Sequence, residues 1–134
     1  MKNILFVCVH NTGRSQMAEA FFNKMVQGKA KGFSAGTQVA EKVNPLVVEA
    51  MREVGVDISK NKPKMLTIEM LDSADKVITM GCGVDGVCPA SFVPTEDWKL
   101  EDPEGKTIER VRQIRDEVKL RVEGLMKELG IGKE

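Results

Sequence analysis

Tyrosine is absent from this 134-residue sequence, tryptophan and histidine occur once each, and aromatic residues make up only 4%. No basic cluster interleaved with aromatic side chains is therefore available to hold nucleic acid. The formal net charge is also zero, with 20 cationic and 20 anionic residues. Both features argue against a nucleic-acid partner. Long apolar runs are missing as well. The opening run, Ile4-Leu5-Phe6-Val7, is too short for a signal-peptide core and meets polar residues by His10. No stretch approaches the length of a membrane span, so no membrane association is expected. Cysteine is scarce and its count, three, is odd, which fits a reducing compartment better than a disulfide scaffold. A cytoplasmic location is expected. Internal repeats, linkers and low-complexity segments are lacking too. What remains is 42% hydrophobic and 30% charged, an ordinary globular balance, and long enough to bury a core without staples. One domain over residues 1–134 is expected.

The organising stretch is Cys8-Val9-His10-Asn11-Thr12-Gly13-Arg14-Ser15. Before it stands the short buried-strand pattern of Ile4–Val7. After it, Met17, Phe21 and Met25 share a stripe with Ala18, Phe22 and Val26 beside it, the spacing of a helix. A loop at such a junction can aim several backbone N–H groups, those of Val9, His10, Asn11, Thr12 and Gly13, into one concavity, and the next helix adds its positive N-terminus. Ser15 is expected to cap that helix. The shape suits a small tetrahedral oxyanion. Cys8, close to Arg14 and a helix N-terminus, should exist largely as thiolate and act as a nucleophile. Arg14 offers a planar fork for two oxygens of one anion, and Ser15 can hydrogen-bond the sulfur. His10 sits inside the loop, where its backbone matters more than its ring, and the ring is expected to face solvent.

Further along, Gly28–Gly32 reads as a turn and Phe33–Thr37 as a short strand. Asn44-Pro45 reads as an N-cap followed by proline at the first helical position, with Val47, Ala50, Met51 and Val54 as the apolar stripe and Gly55 as the stop. Thr67–Leu71 suggests a short helix, and Lys76–Met80 a second buried strand. Phe92-Val93 is a candidate for opening a short edge strand before Trp98, which either covers the site or packs. From Thr107 a long helix carries Ile108, Val111, Ile114, Val118, Val122, Leu125 and Leu129 at steps of three and four. The eight methionines fall mostly at core positions. Alternating strands and helices of this size predict a doubly wound α/β sheet.

Cys82 follows the second strand pattern, at the sheet edge expected for Cys8, and Cys88 lies six residues on. Three glycines within six residues make the segment easy to deform. A zinc site and a passive pair are two possible readings, although Cys-x5-Cys is looser than zinc spacing normally is. A third is a thiol relay, in which a disulfide is handed outward by exchange.

Cys8-x5-Arg14-Ser15 near the N-terminus, with Asp102-Pro103 far downstream, resembles the low-molecular-weight tyrosine phosphatase superfamily. Within it, Cys8 through Glu19 resembles the thioredoxin-coupled arsenate reductases. The resemblance extends through Ser34-Ala35-Gly36, Gly55-Val56-Asp57-Ile58-Ser59 and Glu96-Asp97-Trp98. It implies four parallel strands in the order 2-1-3-4, flanked by helices, with the anion loop at the carboxyl end of the first strand. It also implies a reaction: Cys8 attacks arsenate, Cys82 resolves the adduct and releases arsenite, and Cys88 takes over the disulfide for thioredoxin or a similar dithiol to reduce. Asp102 would protonate the departing oxygen, and phosphate or sulfate would bind as analogues. No flavin, nicotinamide or other cofactor is implied. Some members hold potassium near the loop. The matching positions are Asn11, Glu19 and Ser34, but Lys64 falls where a carboxylate would stand, so its ammonium is expected in the ion's place and no metal is expected. The alternative is a phosphatase of the same superfamily, hydrolysing phosphomonoesters through a phosphocysteine. Against it, Glu104 rather than an aromatic follows Pro103, and tyrosine is absent. A non-catalytic oxyanion-binding or redox-sensing module is the reading from another class.

Overall fold

In the computed structural model, which describes residues 2–8, 10–80, 95–98 and 100–131, the first strand β1 spans Lys2–Cys8. Its residues Ile4 through Cys8 are all buried, because the strand is sheet-central and covered on both faces. β1 pairs in parallel with β2 (Ala30–Gly36) on one side and with β3 (Lys76–Thr79) on the other. The short β4 (Thr95–Asp97) pairs in parallel with β3, giving the order β2-β1-β3-β4.

Alternation along β1 sorts the core. Ile4, Phe6 and Cys8 face α1 (Arg14–Val26), α2 (Pro45–Glu53) and α4 (Ile108–Glu128). Leu5 and Val7 face the other way, toward Ala35, Val77 and the residues around α3 (Ile68–Ser73). Helices therefore cover both faces of a parallel sheet. Phe6 and Phe22 meet edge to face at 5.7 Å, and Trp98 packs on Phe6 at 5.9 Å. Full burial of each such phenylalanine is worth roughly 2–3 kcal/mol. Trp98 is thus a packing residue beneath the sheet's helical layer. Met17, Met51, Met80 and Met126 are buried as expected, whereas Met65 is exposed.

Two local expectations are corrected. β2 begins at Ala30, so Gly32 is a strand residue and not part of a turn. A Cβ at Gly32 would come within 3.0 Å of the Phe22 ring and 3.3 Å of the Phe6 ring. The glycine answers to ring packing, and Asn23 brackets its backbone with two hydrogen bonds. The turn is made upstream by Gln27 and Gly28, both at positive φ. Val54 is not on the buried stripe of α2. It caps the helix C-terminus and is exposed, one residue before Gly55 turns the chain at φ 82°. The expected cap at Asn44 is present, its Oδ1 accepting from the Leu46 N–H, and two further helices are capped in the same way, Thr67 Oγ1 accepting from Met70 and Thr107 Oγ1 from Arg110.

Glu53 ties α2 to α4. It accepts three hydrogen bonds from the Arg112 guanidinium and one from Arg115. The Arg112 hydrogen bond, and then the nearby arginine charges, hold its carboxyl below the ordinary value of 4.5. A carboxyl lowered by folding stabilises the fold above that value, and the contribution is lost as pH falls through it. Glu53→Gln should therefore lower the urea midpoint at neutral pH and shrink the loss of stability between neutral and pH about 4. An unchanged acid dependence in that variant would refute the link.

Candidate active site

β1 ends on Cys8 and α1 begins at Arg14, so residues 9–13 form the loop at the carboxyl edge of the central strand. Three backbone donors from the segment that follows β2 shape it. The Thr37 N–H donates to the Cys8 carbonyl (3.3 Å), Ala40 to His10 (3.4 Å) and Asn44 to Thr12 (3.0 Å). In a trans peptide the carbonyl and the next N–H point opposite ways. With the His10 and Thr12 carbonyls drawn outward, the N–H groups of Asn11 and Gly13 point inward. The first of these is seen to donate to Cys8 Sγ at 3.3 Å. Asn11 reaches this arrangement at φ 55°, a left-handed conformation that asparagine tolerates better than most residues.

Ser15 does not cap α1. The N-cap is Gly13, with no side-chain cap bond. Ser15 lies inside the first turn and its Oγ stands 2.8 Å from Cys8 Sγ, where it also accepts from Asn11 Nδ2 at 2.7 Å. The first-turn N–H groups thereby keep no side-chain partner of their own at the cap, which suits an anion at that end. Val9 lies outside the described residues. His10, expected to face solvent, is half-buried.

Arg14 is buried, and its Nη1 donates to the Leu100 carbonyl at 2.9 Å. Its Nη2 lies 3.7 Å from Asp102 Oδ2. The structure thus joins Arg14 to Asp102 across 88 residues of sequence. Asp102 is half exposed, and its other oxygen accepts from the Glu104 N–H. Its neighbour Glu101 is bound by Arg110, whose side-chain hydrogen bond is the main cause of a lowered carboxyl there. Glu101 therefore stays ionised, and Asp102 is the carboxyl of this turn that faces Arg14.

Gly13 also seats Pro103. A Cβ at residue 13 would come within 2.7 Å of Pro103 Cγ and 3.5 Å of Val47. Gly13→Ala should therefore push the Asp102-Pro103 turn outward and cut kcat roughly tenfold to a hundredfold, with less effect on anion affinity. Separate kcat and KM values for the variant check this.

On the far side of the loop, Glu19 accepts from the Ser34 hydroxyl and from Lys64 Nζ at 3.3 Å. The Lys64 ammonium thus pairs with one of the matching positions, Glu19, and the Lys64 backbone N–H donates to Asn11 Oδ1 at 2.8 Å. One participant escaped the sequence reading. Gln16, fully buried, donates to Asn11 Oδ1 (3.0 Å) and to the Lys62 carbonyl (3.3 Å). Its signal was available: a polar residue beside Ser15 on a turn where its neighbours are all core. Cys82 and Cys88, as well as Phe92-Val93, lie outside the described residues.

The profile of the family described as low molecular weight phosphotyrosine protein phosphatase matches residues 3–134. A glutaredoxin arsenate reductase of Synechocystis is 41% identical over 130 residues, covering 94% of this chain and 97% of the relative. A solved structure described as an arsenate reductase in the phosphate binding state superposes with a TM-score of 0.84 at 40% identity, covering 98% of this chain and all of the other. The thioredoxin-dependent arsenate reductase of Corynebacterium glutamicum gives the same TM-score at 37% identity, with 99% of this chain and 64% of the other covered.

Proposed function

Because the chain belongs to the low molecular weight phosphotyrosine protein phosphatase family, we propose that it works as a single domain over residues 1–134, with the sheet order 2-1-3-4, and reduces arsenate to arsenite. The observation that carries the reading is the Cys8 sulfur at the centre of the loop, held by the Ser15 hydroxyl and the Asn11 N–H. The attacking form of that sulfur is the thiolate. Arsenate sits in the loop, its oxygens met by inward N–H groups and the Arg14 guanidinium. The Cys8 thiolate forms a sulfur–arsenic bond as an oxygen leaves, protonated by Asp102. The Cys82 thiolate then attacks Cys8 sulfur, and the electron pair of the sulfur–arsenic bond passes to arsenic. Arsenic(V) becomes arsenic(III), arsenite departs, and a Cys8–Cys82 disulfide remains. Cys88 attacks Cys82, freeing Cys8, and thioredoxin or a similar dithiol reduces the Cys82–Cys88 disulfide. The electrons come from thiols, so the reaction calls for no bound cofactor or metal. The cytoplasm, where thiols stay reduced, is the fitting location.

A second reading, hydrolysis of phosphomonoesters through phosphocysteine, has the family itself in its favour, since phosphate and arsenate are alike in shape and charge. Arsenate turnover is measured with NADPH, thioredoxin reductase and thioredoxin, and in parallel with glutathione and glutaredoxin. Turnover with either donor supports reduction. Hydrolysis of p-nitrophenyl phosphate with no arsenate turnover in either arm supports the phosphatase and overturns the reductase.

A further inference from the structure

The hydrogen bonds behind Cys8 run in one direction. The Lys64 backbone N–H can only donate, so the Asn11 atom facing it at 2.8 Å is the oxygen. The Lys62 carbonyl can only accept, so the Gln16 atom facing it is the nitrogen. Both hydrogens of that nitrogen are used, one on Lys62 and one on Asn11 Oδ1. The Asn11 amide is thereby turned so that its Nδ2 donates to Ser15 Oγ at 2.7 Å. When the sulfur is a thiolate it carries no proton, so the Ser15 hydroxyl must donate to it across the 2.8 Å contact. The chain Gln16 to Asn11 to Ser15 to Cys8 therefore delivers donors stepwise to the nucleophile, and aligned donors strengthen one another in a buried setting.

We propose that Gln16 is a positioning residue for the nucleophile: together with the Lys62 carbonyl and the Lys64 N–H it locks the Asn11 amide so that Ser15 donates to the Cys8 thiolate. The surface residue Asn61 braces it, its Nδ2 donating to Gln16 Oε1 at 3.2 Å. The charged groups around the loop, Arg14 with Asp102 and Lys64 with Glu19, are left in place when Gln16 is changed, as is His10. The inference rests on the reading of Cys8 as the nucleophile. Its test contains no arsenate, so it succeeds or fails separately from the reduction.

The test is the rate of Cys8 carboxamidomethylation by iodoacetamide in the reduced full-length protein, read on the Cys8 peptide by mass spectrometry so that Cys82 and Cys88 do not interfere. Gln16→Met keeps the shape and removes the donors. At pH about 6 it should react roughly tenfold more slowly than the parent, and at pH about 9.5 within about twofold of it, because high pH restores the thiolate. Phosphate affinity by calorimetry should stay within about threefold, since the inward N–H groups and Arg14 are untouched. Asn61→Ala, a surface change, should give the same low-pH slowing at roughly two- to threefold. A merely structural role would slow alkylation equally at both pH values or weaken phosphate in proportion, and either result overturns the proposal. If Gln16→Met fails to fold, an unchanged low-pH rate in Asn61→Ala overturns it just as well.

Discussion

Cys8→Ser should abolish arsenate reduction and any phosphatase activity, by roughly three orders of magnitude or more, while phosphate binding stays close to the parent value. Among the described residues the Cys8 sulfur is the one thiol in the loop, flanked by the Ser15 hydroxyl and the Asn11 N–H. A serine hydroxyl keeps both hydrogen-bonding partners and fits a buried site made for a larger atom. At neutral pH it is almost wholly protonated and so a poor nucleophile. Because the loop is shaped by backbone donors at residues 37, 40 and 44, anion binding does not depend on the thiol. Calorimetry with phosphate and turnover with arsenate read the two halves separately. More than a few per cent of residual turnover would remove Cys8 from the mechanism.

The second large effect is expected at Cys82 and Cys88, where the two serine variants should stop at different points. With Cys82→Ser, the thiol that takes Cys8 from arsenic is missing, so arsenite release should be negligible and no Cys8–Cys82 disulfide should form. With Cys88→Ser, about one arsenite per protein should be released and the Cys8–Cys82 disulfide should accumulate, because the next acceptor is missing. Phosphatase activity should persist in both reduced variants, since water hydrolyses a phosphocysteine without either thiol. Peptide mapping after stoichiometric arsenate, with no thioredoxin present, distinguishes the two. Wild-type turnover in both variants, or no Cys8–Cys82 linkage in Cys88→Ser, would sink the relay.

Much of the fold was legible because its signals are local. The strand at Ile4–Val7, the Asn44-Pro45 helix start, and the three-and-four spacing after Thr107 each depend on neighbours in sequence, and each element lies where its pattern puts it. The misreadings came where a distant partner decides. Gly32 looks like a turn glycine until the rings of Phe6 and Phe22 are brought against it. Ser15 looks like a cap until the Cys8 sulfur and the Asn11 amide claim its hydroxyl. The chemistry of the site was legible in residue types, with Cys8, Arg14 and Ser15 grouped by the chain itself. The support was not: the Leu100 carbonyl on Arg14, the Pro103 ring on Gly13 and the Lys64 N–H on Asn11 all come from 53 or more residues away, two of them through backbone atoms that no side chain advertises.

The hydrogen bonds from the Thr37–Asn44 segment to the described loop residues come from main-chain N–H groups, and this divides what drift can change there from what it cannot. Gln38, Ala40, Glu41 and Lys42 are exposed, and among the described residues their side chains hold none of the loop, so their identities are free to wander. The spacing is not free. One residue added or deleted between 37 and 44 would shift a donor off its carbonyl, and proline at 37, 40 or 44 would erase one. The rim beside the anion can thus be re-lettered over generations, with new charges and shapes offered to whatever approaches, while the catalytic loop beneath keeps its form.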